Sequence, residues 1–237
     1  MAGHSKWANI KHKKAKEDAK RGKAFTKLSK EITVAARLSG GDPSANPRLR
    51  LLIEKGRSIN MPMENITRAI KKGTGELPGV SYEPRTYEGY GPFGTAVLVE
   101  TLTDNTNRTV AEMRRLFTKH GGNLGETGSV NWMFEQKGVI RAETKLSEDE
   151  LLELLIDFDI SDIKKQENLA IIISDIKSLE QIKKIMVESN AIIESSDLEW
   201  IAKTPTELSK EQEEKVYTFL EILDDHDDVQ NVYSNVA

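Results

Sequence analysis

Six lysines recur near the start of the chain at intervals that match the turns of an α-helix. Successive members are three or four residues apart, and at ~100° per residue they occupy a stripe roughly 100° wide. Like charges at this spacing repel each other, so the row predicts an anionic group that compensates them. Nucleic-acid phosphates are such a group, because lysines neutralise them and release their counterions. This lysine stripe comprises Lys13, Lys16, Lys20, Lys23, Lys27 and Lys30.

The residues around the start of the stripe add further cations and one aromatic ring. The first dozen residues have only Trp7 and Ile10 to bury, which is typical of a mobile arm. The Trp7 ring can stack on a base or fold back onto the first helix, and both interpretations stay open. An acidic protein surface is a second partner for the cations, whereas a membrane is disfavoured because the arm lacks a Leu/Phe face. The predicted nucleic-acid contacts here are Lys6, Trp7, Lys11, Lys14 and Arg21.

A second basic group is predicted on a later helix. Arg108, Arg115 and Lys119 share one helix face, and apolar residues such as Met113 and Phe117 occupy the opposite face. We predict that the three cations contact phosphate, although a solvated helix face explains them equally well.

Residues that could catalyse a reaction or bind a metal are sparse. The chain has no cysteine, which excludes a thiolate nucleophile, a disulfide framework and a Cys-ligated metal. Its four histidines lack metal-ligand spacing, and no nucleophile, base and orienting group can be assembled. The acidic run Asp224–Asp228 lacks the spacing of a calcium loop and is assigned to a surface helix end. The glycine-rich run 87–94 is assigned to a tight turn before a strand. The sequence thus predicts no enzyme, no metal and no cofactor.

Charge is distributed unevenly along the 237 residues. Residues 1–72 hold 18 Lys and Arg against 6 Asp and Glu, whereas residues 143–237 hold 9 against 24. The middle of the chain is nearly balanced, and the formal net charge is −4. A basic third and an acidic third predict separate modules with different partners. No apolar run approaches the ~18 residues of a membrane span, so we expect a soluble cytoplasmic protein.

Apolar periodicity predicts three helices in the basic third, at residues 13–38, 47–59 and 62–73. The clearest linker is Gly73–Gly79. Beyond it, the pattern predicts a hairpin at 130–143 that turns at Lys137 and Gly138. The other predicted elements are helices at 105–120, 148–157, 179–189 and 209–223 and strands at 93–102, 169–174, 191–201 and 229–236.

This order predicts an α+β multidomain fold: an N-terminal all-helical domain followed by two α+β domains with antiparallel sheets. The run 130–201 is self-contained, so the last helix and strand lack a sheet of their own. We expect them to join the strand and helix within 80–122, which makes the middle domain discontinuous. The predicted domains are a basic helical domain at 1–78, a discontinuous domain at 79–128 plus 204–237, and an acidic inserted domain at 129–203.

Several motifs closely resemble the YebC/PmpR family, and they follow one another in the same order from end to end of the chain. They are Met1–His12, Arg21–Leu28, Asn60–Pro62, Ala69–Gly73, Tyr87–Pro92, Asn107–Glu112, Lys119–Val130 and Asp228–Asn235.

The resemblance implies a helical first domain and two α+β domains, of which the second domain of the chain is discontinuous. It also implies control of gene expression in the cytoplasm. Bacterial members are described as DNA-binding transcriptional regulators, and mitochondrial and other bacterial relatives as translation activators at the ribosome. The family supplies no catalytic residue.

These observations predict a non-enzymatic nucleic-acid-binding regulator that grips phosphate with its lysine stripe. One alternative is a ribosome-associated translation factor that binds ribosomal or transfer RNA, because DNA and RNA both present phosphates. Another is a protein-interaction adaptor that binds no nucleic acid. The acidic third is expected to orient the molecule or to recruit the ribosome or another protein.

Overall fold

The structure is a computed structural model that describes residues 18–236, with side chains from residue 22 onward. The chain divides into two compact units. The first comprises the residues up to 132 together with those from 205 onward, and the second comprises residues 133–204. The helical part and the first sheet lie in one unit, so the predicted boundary between a first and a middle domain stays a prediction.

Among the described residues, three helices form the N-terminal part of the first unit, and the predicted positions of all three are confirmed. They are α1 (Asp18–Ser39), α2 (Pro47–Ser58) and α3 (Met63–Thr74). Residues 13–17 of the first predicted helix lie outside the described residues. The start of α2 is fixed by Asn46, whose side chain accepts a hydrogen bond from the Leu49 N–H at 3.0 Å.

Helices α1 and α3 approach each other closely at Gly73. A Cβ atom at this position would lie 2.5 Å from the Thr33 carbonyl oxygen and 2.7 Å from Ala36 Cβ. The Thr33 hydroxyl also donates a hydrogen bond to the Ala69 carbonyl at 3.1 Å. Gly73 therefore sets how α3 packs on α1, because any larger residue would push the two backbones apart.

Residues 75–236 form two four-stranded sheets and four α-helices, besides three single-turn 3-10 helices. The strands are β1 (Glu83–Tyr90), β2 (Ala96–Thr103), β3 (Asn123–Leu124), β4 (Phe134–Glu143), β5 (Ile160–Gln166), β6 (Leu169–Ser174), β7 (Ile192–Ala202) and β8 (Val229–Ser234). The helices are α4 (Thr106–Lys119), α5 (Glu148–Leu154), α6 (Leu179–Glu188) and α7 (Lys210–Asp224).

The first sheet has the strand order β3-β1-β2-β8, and its strands are antiparallel. The C-terminal strand β8 pairs with β2, so that Val97 lies opposite Ser234. This pairing confirms the predicted discontinuous α+β part. Helices α4 and α7 contribute to a core with β2 and β8, in which the rings of Phe117 and Phe219 meet edge to face at 5.1 Å.

The second unit has the antiparallel strand order β5-β6-β4-β7. Its core combines strand residues such as Ile140 and Ile172 with Leu151 of α5 and Ile182 of α6. An all-helical part followed by two α+β parts with antiparallel sheets is thus the fold that the element order predicted.

The predicted hairpin at 130–143 is wrong, because β4 runs without a turn from Phe134 to Glu143. Gly138 lies inside this strand, opposite Ser174 of β6 and Leu198 of β7. A Cβ atom there would lie 2.9 Å from Leu179 Cδ1. The glycine makes room for α6 on the sheet and does not mark a turn.

Strands β1 and β5 were not predicted from the sequence, because neither has an alternating apolar pattern. In β1 the buried positions are Glu88 and Gly89, and residues 87–90 of the predicted tight turn belong to this strand. Strand β5 lies at the edge of its sheet and buries only Ile163. Tertiary context, rather than apolar periodicity, defines both strands.

Candidate nucleic-acid interface

The structure describes fully only part of the predicted contact set. Lys6, Trp7, Lys11, Lys13, Lys14 and Lys16 lie outside the described residues, and Lys20 and Arg21 are described by their backbone in α1 alone. The side chains described in full are Lys23, Lys27 and Lys30 of α1 and Arg108, Arg115 and Lys119 of α4.

The described half of the lysine stripe faces aspartates of the same chain. We call residues Asp224–Asp228, at the end of α7 and in the loop before β8, the acidic segment. Each of the three lysines forms an ion pair with it. Measured from Nζ to Oδ1, the pairs are Lys23–Asp225 (3.1 Å), Lys27–Asp224 (3.0 Å) and Lys30–Asp228 (2.8 Å). For these three lysines, the compensating anions that their spacing predicts are therefore aspartates of the same chain.

The three pairs differ in how much water reaches them. The Lys23 side chain is 47 % exposed, that of Lys27 17 %, and that of Lys30 10 %. Lys27 also donates to the Asp224 carbonyl at 2.8 Å, and Lys30 donates to the Asp227 carbonyl at 2.9 Å. The predicted phosphate contacts at Lys27 and Lys30 are therefore not favoured by this geometry. Lys30 is a buried structural cation and Lys27 is committed to the acidic segment, whereas Lys23 stays a predicted phosphate contact.

Asp228 is the centre of this arrangement. Its side chain is 4 % exposed and accepts hydrogen bonds from Lys30 Nζ, Arg108 Nη2 and the Thr109 hydroxyl, each at 2.8 Å. Burial alone would raise the pKa of this carboxyl, but the hydrogen bonds outweigh burial and hold the pKa well below its ordinary value. Asp228 thus joins α1 and α4 at the start of β8, and its assignment to a surface helix end is wrong.

Arg108 and His226 complete the connections around Asp228. Arg108 Nη2 also lies 2.8 Å from Asp104, and the hydrogen bonds to Asp228 and Asp104 raise the pKa of its guanidinium. The Nδ1 atom of His226 accepts the Asp228 N–H at 3.1 Å, and its Nε2 lies 2.8 Å from Glu112 Oε2. Arg108 is therefore a structural link, and the prediction that it serves as a phosphate contact is not favoured by this geometry.

Arg115 and Lys119 have the surroundings that the sequence analysis predicted. Both are exposed, and neither forms an ion pair with any residue that the structure describes. The opposite face of α4 buries Met113 and Phe117. Both cations are accessible to a phosphate, so they remain predicted contacts.

A further set of cations lies on α2 and α3, outside the predicted nucleic-acid contacts. Residues 47–74 contain seven Lys and Arg and two Glu, and all nine are exposed. Arg68 pairs with Glu64 at 2.7 Å, and the five cations other than Arg68 and Lys55 form no ion pair with a described residue. We call this set the α2–α3 basic surface; it comprises Arg48, Arg50, Lys55, Arg57, Arg68, Lys71 and Lys72.

Helix electrostatics explain only some of these positions. Lys55, Arg57, Lys71 and Lys72 lie in the last turns of their helices, where a cation is favoured by the helix dipole. Arg48 and Arg50 lie at the start of α2, whose first turn holds no acidic residue. The helix dipole disfavours a cation there by about 0.3–1 kcal/mol. An anion bound from outside would offset this unfavourable interaction.

Spacing alone could not reveal this surface, because its arginines and lysines follow no single helical repeat. The usable signal was compositional: an excess of cations over two whole helices whose apolar residues already have a core to fill. The lysine stripe shows the opposite: it has a regular helical repeat, but its described lysines pair with aspartates of the same chain.

The described part of the chain offers little for other functions. Within it, no three His, Asp or Glu side chains are grouped as metal ligands would be. No helix among these residues is long and apolar enough to cross a membrane.

Two family models match nearly the whole chain and define its class. The TACO1/YebC protein N-terminal domain matches residues 5–76, and the TACO1/YebC second and third domain matches residues 82–236. The chain belongs to the TACO1/YebC family, as the sequence motifs indicated.

Individual relatives support the same assignment. A protein of Chlorobaculum parvum is 51% identical over 100% of this chain and 95% of its own length, and one of Dictyoglomus turgidum is 49% identical over 99% and 95%. Both are named probable transcriptional regulatory protein. The crystal structure of a conserved hypothetical protein from Aquifex aeolicus is similar, with a TM-score of 0.84 and 45% identity over 94% of this chain and 93% of that one.

Proposed function

We propose that this protein is a non-enzymatic, nucleic-acid-binding regulator of gene expression that works in the cytoplasm. The observation that carries the proposal is the α2–α3 basic surface, where five exposed cations have no ion-pair partner among the described residues. The names of the relatives, which call them probable transcriptional regulatory proteins, support a regulatory role.

The chemistry of this surface favours a polyanion as its ligand. Arginine presents a planar fork of donors that matches two phosphate oxygens, and lysine neutralises phosphate as a point charge. Arg48, Arg50 and Arg57 supply three such forks on one helix, and Lys71 and Lys72 add point charges on the next. Contacts of this kind fix a protein on a nucleic acid without reading its sequence.

The proposed interface differs from the one that the lysine spacing predicted. It retains Lys23 and the stripe residues before it, together with Arg115 and Lys119. It also retains the predicted contacts Lys6, Trp7, Lys11, Lys14 and Arg21. It gains the α2–α3 basic surface and gives up Lys27, Lys30 and Arg108, because their aspartate partners are mostly buried, whereas Asp225, the partner of Lys23, is half exposed.

The proposal is tested by removing cations at the surface and elsewhere. In one variant of the full chain, Arg48, Arg50, Lys71 and Lys72 are replaced by Gln. In a control of the same charge change, four exposed lysines elsewhere are replaced by Gln: Lys145, Lys177, Lys184 and Lys210. Binding to duplex DNA and to a structured RNA is measured over a range of salt concentrations.

We expect the surface variant to lose affinity for nucleic acid by about tenfold or more. Its salt slope should become shallower by about one for each phosphate that the protein no longer neutralises. The control should bind like the unaltered chain. Equal losses in both variants would mean that net charge alone decides binding, and retained affinity in the surface variant would refute the interface. A preference for the RNA would favour the translation factor.

A further inference from the structure

In the second unit, helix α5 exposes aliphatic side chains that its own core does not use. The helix buries Leu151, and Leu155 directly after its end is also buried. Leu152 and Ile156, by contrast, are 47 % and 78 % exposed. Leu152 lies in α5, and Ile156 lies in the turn that directly follows it, four residues further along the chain. An exposed apolar patch with a polar rim is typical of a surface that binds another molecule.

Carboxylates border this aliphatic pair. Residues 147–162 contain seven Asp and Glu and no Lys or Arg. Asp149 and Glu153 are four residues apart on α5, and they lie ~60° and ~100° around the helix from Leu152. Both are exposed and form no ion pair with a described residue. At this end of α5, exposed aliphatic side chains therefore lie among carboxylates.

Helix stability explains only the first of these carboxylates. Glu148, Asp149 and Glu150 lie in the first turn, where the helix dipole favours anions, and Glu150 forms a capping box with Ser147. Glu153 lies in the last turn of the helix, where the dipole disfavours an anion. A cation supplied from outside would stabilise it.

We propose that this face of α5 is a docking surface for a basic, amphipathic helical segment of another protein. Such a segment would place Leu, Ile or Met side chains four residues apart on Leu152 and Ile156. Lys or Arg side chains on its adjacent row would pair with Asp149 and Glu153. The same face of a second copy, a nucleic acid and an anionic membrane are all disfavoured, because each brings negative charge to a surface that already holds it.

The inference goes beyond nucleic-acid binding and does not depend on it, since it concerns a different unit and the opposite charge. The probe is a synthetic helical peptide of Leu, Lys and Ala, about 16 residues long so that it can form a helix. Leu and Lys occupy adjacent rows in this peptide. A second peptide of the same composition scatters the leucines around the helix. Binding of each to the full chain is followed by fluorescence anisotropy at low and high salt.

We expect the patterned peptide to bind about tenfold tighter than the scattered one, because only the patterned peptide can place its leucines together on Leu152 and Ile156. The double variant Leu152→Ser/Ile156→Ser should weaken binding about tenfold. The control Val187→Ser, which alters an exposed aliphatic residue on α6, should leave binding unchanged. The double variant Asp149→Asn/Glu153→Gln should weaken binding mainly at low salt.

Equal binding of the two peptides would show attraction by charge alone and overturn the proposal. Absence of binding, or unchanged binding in Leu152→Ser/Ile156→Ser, would overturn it as well. The altered side chains are exposed, so circular dichroism should show unchanged folding in every variant. Loss of nucleic-acid binding in the α2–α3 variant bears only on the proposed function.

Discussion

Replacing Asp228 by Asn should destabilise the first unit strongly, because this substitution removes the charge that compensates a buried ammonium. Lys30 lies 2.8 Å from Asp228, and the two side chains are only 10 % and 4 % exposed. Removing one partner of a buried pair costs about 3–5 kcal/mol. Asn keeps the shape and one acceptor, so we expect about 3 kcal/mol, or a fall of roughly 6–12 °C in Tm for a chain of this length.

Urea unfolding measures this loss, and Asp225→Asn is the matched control. The Lys23–Asp225 pair has nearly the same separation, but its side chains are 47 % and 50 % exposed. An exposed pair contributes at most about 1 kcal/mol. Adding Lys30→Met to Asp228→Asn should recover part of the loss, because the uncompensated ammonium is then gone. Equal effects of Asp228→Asn and Asp225→Asn would refute the conclusion that burial makes the Lys30–Asp228 pair important for stability.

Further predictions concern packing, pH and the aromatic ring of the arm. Gly73→Ala should cost about 1–3 kcal/mol of unfolding free energy through overpacking, whereas Gly22→Ala, whose Cβ meets nothing within 4 Å, should add up to about 1 kcal/mol. Burial raises the pKa of Glu88, but N–H groups of Gly128, Val130 and Asn131 outweigh it and lower that pKa. Folding lowers the pKa values of both Glu88 and Asp228, so the stability that these carboxylates contribute is complete above about pH 4 and is lost as the pH falls further. Between pH 7 and pH 3, the free energy of unfolding should therefore decline less in Asp228→Asn than in the unaltered chain. Trp7→Ala should cost about 1–3 kcal/mol in binding to unpaired bases, measured by titration, and leave the salt slope nearly unchanged.

Local patterns predicted those parts of the fold in which a helix or strand buries its own apolar face. The three N-terminal helices and β6 illustrate this, since Leu28, Ile66 and Ile172 occur at positions that periodicity marks as buried. Strand β1 could not be predicted in this way, because Glu88 is its buried side chain. The carboxylate is stabilised by three backbone N–H groups from residues far along the chain.

The candidate site was predicted less well than the fold, and the reason is electrostatic. A regular row of lysines indicates that an anion lies opposite, but it does not indicate whether that anion belongs to a ligand or to the protein. Here Asp228, nearly 200 residues from Lys30, provides it. The arginines of α2 were overlooked because they follow no helical repeat, and contacts to phosphate do not require one.

The most direct test of the central proposal is the salt dependence of nucleic-acid binding by the intact chain. The association constant is measured for a duplex DNA and for an RNA, each over a series of salt concentrations. If four to six cations of the basic helices neutralise phosphates, log K should fall with log[salt] at a slope of about −3 to −5. A slope near zero, or no binding to either nucleic acid, would contradict the proposal and leave a protein-interaction adaptor as the better description.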